Sequence, residues 1–161
     1  MGHHILHSII VGIFCCVAMD IWQRILFLIF NIPPTNWSTV GRWFIMLINN
    51  KIIINENLDN ENPVKYELGI GWAFHYCVAI GYGFAYYFLM VDFDILSTSI
   101  LSGLTFGLIS VSVPWFFYLP VTGKGFMGNK TPNPTLTKLL STSSHVVVGI
   151  FLAIGFSLLG Y

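Results

Sequence analysis

Charge is the scarcest property of this chain. Asp, Glu, Lys and Arg together make up 9% of its 161 residues, and the formal net charge is zero. Such a balance excludes the basic surface that a nucleic-acid partner requires. Cysteine is scarcer still: Cys15 and Cys16 are neighbours in one apolar run, and Cys77 sits in another. Thiols so placed give no disulfide framework and read as small packing residues. Catalytic signatures are also missing, since the chain has no Gly-x-Ser-x-Gly and no phosphate-binding loop. The segment Gly123–Gly128 matches G-x-G-x-x-G, but it follows an apolar run rather than a strand and reads as a flexible loop. No basic region precedes the first apolar run, which is too long for a signal peptide and is expected to be retained.

What the chain has instead is hydrophobic length. Hydrophobic residues make up 55% of it, and the mean hydropathy is +0.75. Four long apolar stretches stand out: Ile5–Phe30, Leu68–Met90, Ile95–Leu119 and Leu136–Leu159. About 20 helical residues cross a hydrocarbon core of about 30 Å, so each is long enough to span. The predicted fold is all-α, a single polytopic membrane domain of four transmembrane helices plus one short interfacial or re-entrant helix.

The charges that exist are unevenly placed. Arg42, Lys51 and Lys65 fall between the first two stretches, and Lys124, Lys130 and Lys138 lie in or beside the third connection. Arg24 lies toward the same end of the first helix. The other side holds both termini and the Asp92–Asp94 turn, with no Lys or Arg. By the positive-inside rule the basic side is cytoplasmic, which puts both termini outside.

Local signals fill in the connections. Pro33-Pro34 ends the first helix. A short amphipathic helix over Asn36–Ile48 follows, expected at the cytoplasmic interface, with Trp37 and Trp43 at headgroup level and Arg42 placed to meet an anionic lipid or an entering substrate. Asn49–Glu67 reads as a solvated loop with a brief strand-like piece at Ile52–Ile54. The second and third spans form a tight hairpin. Ser99, Gly103 and Gly107, like Ala79 and Gly83, recur every four residues and predict seams of close helix approach. Pro114 is expected to kink the third span, and Thr131-Pro132-Asn133-Pro134 reads as a helix start.

Titratable groups inside a bilayer are costly and need a reason to be there. Asp20, His75 and His145 each fall roughly 10–15 Å below the cytoplasmic boundary at helical rise. Ser110 and Ser112 of the third span reach a similar level. Arg24, one turn from Asp20, either neutralises it within the helix or snorkels to the interface. Asp20, Arg24, His75 and His145 are therefore the candidate intramembrane polar site, with Arg42 and Trp43 as candidate interfacial contacts. Two His and one Asp suit a metal such as Zn, Fe or Mn, or a proton relay. Neither intramembrane His sits in a local ligand motif, so no cofactor is assigned.

Several pieces taken in order resemble a known family. They are Met19-Asp20-Ile21-Trp22, Pro33-Pro34-Thr35-Asn36-Trp37, Gly41-Arg42-Trp43, Gly71-Trp72-Ala73-Phe74-His75-Tyr76, Lys130-Thr131-Pro132-Asn133-Pro134, and His145 with Gly149. Together they resemble a family of small bacterial membrane proteins, domain of unknown function 2938. The resemblance runs through nearly the whole chain; it implies four helices in the inner membrane and no known activity. Three functional expectations follow from the residues: a site that binds or moves a small solute, proton or metal ion; a membrane-embedded metal-dependent enzyme; or a structural or assembly factor. Expected partners are the lipid bilayer, a second copy of the chain or a small helper protein.

Overall fold

The computed structural model describes residues 2–50 and 53–161. The regular elements among them are helical. The principal helices are α1 (Gly2–Phe30), α2 (Trp37–Asn50), α3 (Glu67–Tyr87), α4 (Ile100–Ser110), the short α5 (Leu119–Val121) and α6 (Pro134–Leu158). Wide π turns extend α3 over Phe88–Asp92 and link α4 to α5 over Pro114–Tyr118. Four helices are long and apolar enough to cross a membrane: His3–Phe30, Glu67–Asp92, Ile100–Val121 and Pro134–Leu158. The shorter α2, at 14 residues, cannot span a bilayer. The chain groups into two compact units, one built from Met1–Pro34, Tyr76–Ser110 and Thr142–Tyr161, the other from Thr35–His75 and Val111–Ser141.

The first unit is held by small residues at helix crossings. A methyl group added at Gly12 would lie 2.6 Å from Ile80 Cα, and one at Gly83 would strike the Ser8 carbonyl. The seam expected on α4 meets α6, where Gly103 and Gly107 face Gly149 and the His145 carbonyl. Lipid supplies little hydrophobic drive between helices, so close backbone approach and van der Waals contact carry the association. Around these crossings pack Val11, Tyr86, Phe106, Leu152 and Phe156, all buried. Ile5, Ile21, Leu28, Leu101 and Leu158 remain exposed, the apolar outer surface expected of spanning helices.

The third span begins at Ile100 rather than at Ile95. Ser99 Oγ accepts the Ser102 N–H at 3.2 Å and caps the helix, while Asp94 adopts φ +52° in the turn. Apolar Ile95 and Leu96 continue the hydrophobic run, but their N–H groups both bond the Leu89 carbonyl.

The second unit encloses α2. Gly41 sits against the Glu67 carbonyl and Gly71 against the Trp37 carbonyl, so α2 lies directly on the start of α3. The loop expected to be solvated is partly internal: Leu58 is fully buried with Trp43 and Val121. Of the strand-like piece, Ile52 lies outside the described residues; Ile53 and Ile54 have no regular structure. Pro114, which lacks an N–H, opens the π turn in which the Leu119 N–H bonds the Pro114 carbonyl. Asn133 Oδ1 accepts the Leu136 N–H at 3.0 Å, and Pro134 takes the first helical position of α6. Gly123, Gly125 and Gly128 all take positive φ, and a side chain at Gly123 would strike the Glu56 carbonyl.

Candidate functional site

In the first unit, α1 carries Asp20 at half-buried depth. Tyr76 Oη donates to Asp20 Oδ2 at 3.2 Å. One turn earlier on α1, Cys16 is fully buried, with its sulfur within 4.8 Å of an Asp20 carboxylate oxygen. A thiol, a carboxylate and a phenol from two spanning helices thus converge. Sulfur and oxygen donors of this kind can share a cation or pass a proton. Arg24, the other charged residue of α1, is exposed.

His145 on α6 occupies a second polar position in this unit. Its Nδ1 lies 2.9 Å from Ser110 Oγ, and Ser110 Oγ itself donates to the Gly107 carbonyl at 3.0 Å. A hydroxyl has one proton. With that proton on Gly107, the imidazole must donate from Nδ1, which leaves Nε2 with the free lone pair. The Tyr82 ring packs edge-on against the imidazole at 5.7 Å. Beside these, Trp22 Nε1 donates to Ser143 Oγ at 3.2 Å.

His75, one residue before Tyr76 on α3, belongs to the second unit. It is buried and lies flat on Trp37, with ring centroids 3.8 Å apart and planes at 20°. Trp72 adds a second ring at 5.8 Å. This contact puts Trp37 inside the unit through its ring face.

Arg42 and Trp43, expected at the interface, are both buried in the second unit. Arg42 Nε and Nη2 donate to Glu67 at 2.8 and 3.0 Å, and Nη1 donates to the carbonyls of Glu61 at 2.7 Å and Leu58 at 3.3 Å. The hydrogen bonds to Glu67 hold the Arg42 pKa above its usual value. Trp43 Nε1 donates to the Ile53 carbonyl at 3.0 Å. Both residues thus bond to other parts of the chain. The reason is Glu67, whose carboxylate makes burial of the guanidinium affordable; its position 25 residues away hid it from local pattern reading.

These elements fall within one family description. Residues 9–158 match the model described as protein of unknown function, DUF2938. The chain belongs to the DUF2938 family. No curated protein and no solved structure matches it. The DUF2938 match includes Asp20, Tyr76, Ser110 and His145, along with the Arg42–Glu67 pair. Tyr76 as the partner of Asp20 was missed in the sequence, where it stood only at the end of the Gly71–Tyr76 piece.

Proposed function

We propose that this DUF2938 protein is a multi-pass protein of the bacterial inner membrane that binds a cation, a metal ion or a proton, at Asp20. The carrying observation is the convergence of the Tyr76 hydroxyl and the Cys16 thiol on the Asp20 carboxylate, on helices apolar enough to span. A carboxylate in hydrocarbon is retained against a cost of several kcal/mol (about 2.5–3.5 on insertion scales). A bound cation offsets that cost. In this reading Asp20 is the charged ligand, Tyr76 orients it, and Cys16 supplies a soft donor. The uneven distribution of Lys and Arg supports an orientation with both termini outside.

The test is infrared difference spectroscopy on the purified protein in lipid nanodiscs. Titration with acid and with divalent cations should change carboxyl bands in the native protein and leave those changes absent in Asp20→Asn. A full response in Asp20→Asn would remove the site. Should neither titrant affect the native protein, Asp20 is a structural hydrogen-bond acceptor. A C-terminal reporter that works only in the cytoplasm should be silent; activity would reverse the orientation.

A further inference from the structure

A separate group of titratable side chains lies at the opposite end of α1 from Arg24. His3, His4 and His7 occupy its first turns, with His3 and His7 in H-x-x-x-H spacing. This spacing puts two imidazoles on one helix face, and their ring centroids are 6.2 Å apart. The fourth member, Tyr161, arrives from the far end of α6. Gly160, at φ +82°, reverses the chain there; its N–H bonds the Ser157 carbonyl, and the Tyr161 N–H bonds the Phe156 carbonyl. That pair of bonds is a Schellman cap, and it fixes where Tyr161 points.

Both nearby imidazoles meet the phenol through the same ring atom. Tyr161 Oη lies 2.9 Å from His7 Nδ1 and 3.3 Å from His4 Nδ1. The Tyr87 ring backs the group, 5.3 Å from His4 and 5.7 Å from Tyr161. Ligands bound to one tetrahedral ion at about 2.0–2.1 Å are separated by roughly 3.3 Å. The two nitrogen–oxygen distances already approach that spacing. Imidazole and phenolate are the nitrogen and oxygen donors that borderline divalent ions accept. Residues 3, 4, 7 and 161 all lie outside the segment matched to the family, so membership implies nothing about them.

We propose that His4, His7 and Tyr161 bind a divalent transition-metal ion of the zinc class. Binding takes neutral imidazoles and displaces the phenol proton to solvent, so one proton leaves Tyr161 for each ion bound. The ion supplies the charge that stabilises the phenolate.

The experiment uses tag-free protein in detergent micelles, equilibrated with Zn²⁺ or with Co²⁺ as its spectroscopic substitute. Native protein should retain stoichiometric zinc after dialysis and show cobalt ligand-field bands. The double variant His4→Ala/His7→Ala should lose both. Tyr161→Phe should weaken zinc at least about 10-fold and shift the cobalt bands. Unchanged helical circular dichroism without metal shows that each variant folds. Full zinc retention by the double variant, a cobalt spectrum unmoved by Tyr161→Phe, or no zinc on the native protein each overturns the proposal. Loss in Asp20→Asn alone would assign the metal to the Asp20 site instead.

Discussion

Arg42 holds Glu67 with two parallel hydrogen bonds, Nε to Oε2 at 2.8 Å and Nη2 to Oε1 at 3.0 Å. The pair joins α2 to the first residue of α3. Glu67 Oε2 also accepts the Val64 N–H at 2.9 Å, so the carboxylate is held by three donors.

Breaking one side of this pair should be severe. Removing one partner of a buried ion pair leaves an uncompensated charge, at about 3–5 kcal/mol. Arg42→Ala should lower unfolding stability in mixed micelles by that order and free the 55–67 loop for proteolysis. Arg42→Lys should recover only part of it, because an ammonium cannot reproduce the two-pronged contact. Native-like protease resistance in Arg42→Ala would show the pair to be dispensable.

Two glycines in spanning helices should respond oppositely to the same substitution. At Gly149 an added methyl meets the Gly103 carbonyl and lies 2.7 Å from Gly107 N. Gly149→Ala should therefore cost about 1–3 kcal/mol. At Gly81 nothing lies within 4 Å, so Gly81→Ala should stabilise by about 0.5–1 kcal/mol through helix propensity. Thermal scans of the two variants in one detergent make the comparison, and equal shifts would discount the glycine seam.

Ser8 should be improved by losing its hydroxyl. Its Oγ is fully buried and has no hydrogen-bond partner among the described residues. An unsatisfied buried hydroxyl carries a penalty of about 1–3 kcal/mol. Ser8→Ala should thus raise the unfolding midpoint, whereas a drop would mean that the hydroxyl is engaged in the membrane.

The His145 tautomer is open to direct measurement. With Ser110 donating to Gly107, nitrogen NMR on labelled protein should find the His145 proton on Nδ1. Ser110→Ala should remove this constraint and cost about 0.5–1.5 kcal/mol. A proton found on Nε2 would reverse the direction of the Ser110–His145 bond.

The four spans were legible because apolar length is a property of contiguous residues. The glycine seam on the third span was legible for the same reason: Gly103 and Gly107 are spaced on one strip, and α6 meets them there. The Asn133–Pro134 helix start also rests on adjacent residues. By contrast, the pairing of Arg42 was not legible because its partner Glu67 lies in another element. The role of Tyr76 was not legible because its hydroxyl contact with Asp20 depends on the crossing of two helices. The start of α4 was misplaced because Ile95 and Leu96 prolong the hydrophobic run past the serine cap. Alternation and composition report which side chains avoid water; they do not report which polar atoms meet.

The α3–α4 turn bears on how the chain enters a membrane. Tyr86 Oη donates to the Ser97 carbonyl at 2.7 Å, and Ser97, Ser99 and Ser102 bond one another through their hydroxyls at 3.0–3.1 Å. The serine hydroxyls of the apex are therefore bonded within the hairpin, while Asp92 and Asp94 are exposed. The apex also lacks Lys and Arg, the residues that most strongly hold a loop on the cytoplasmic side. In a bilayer such a tip would present serines that need little water beside two carboxylates, Asp92 and Asp94, that stay hydrated.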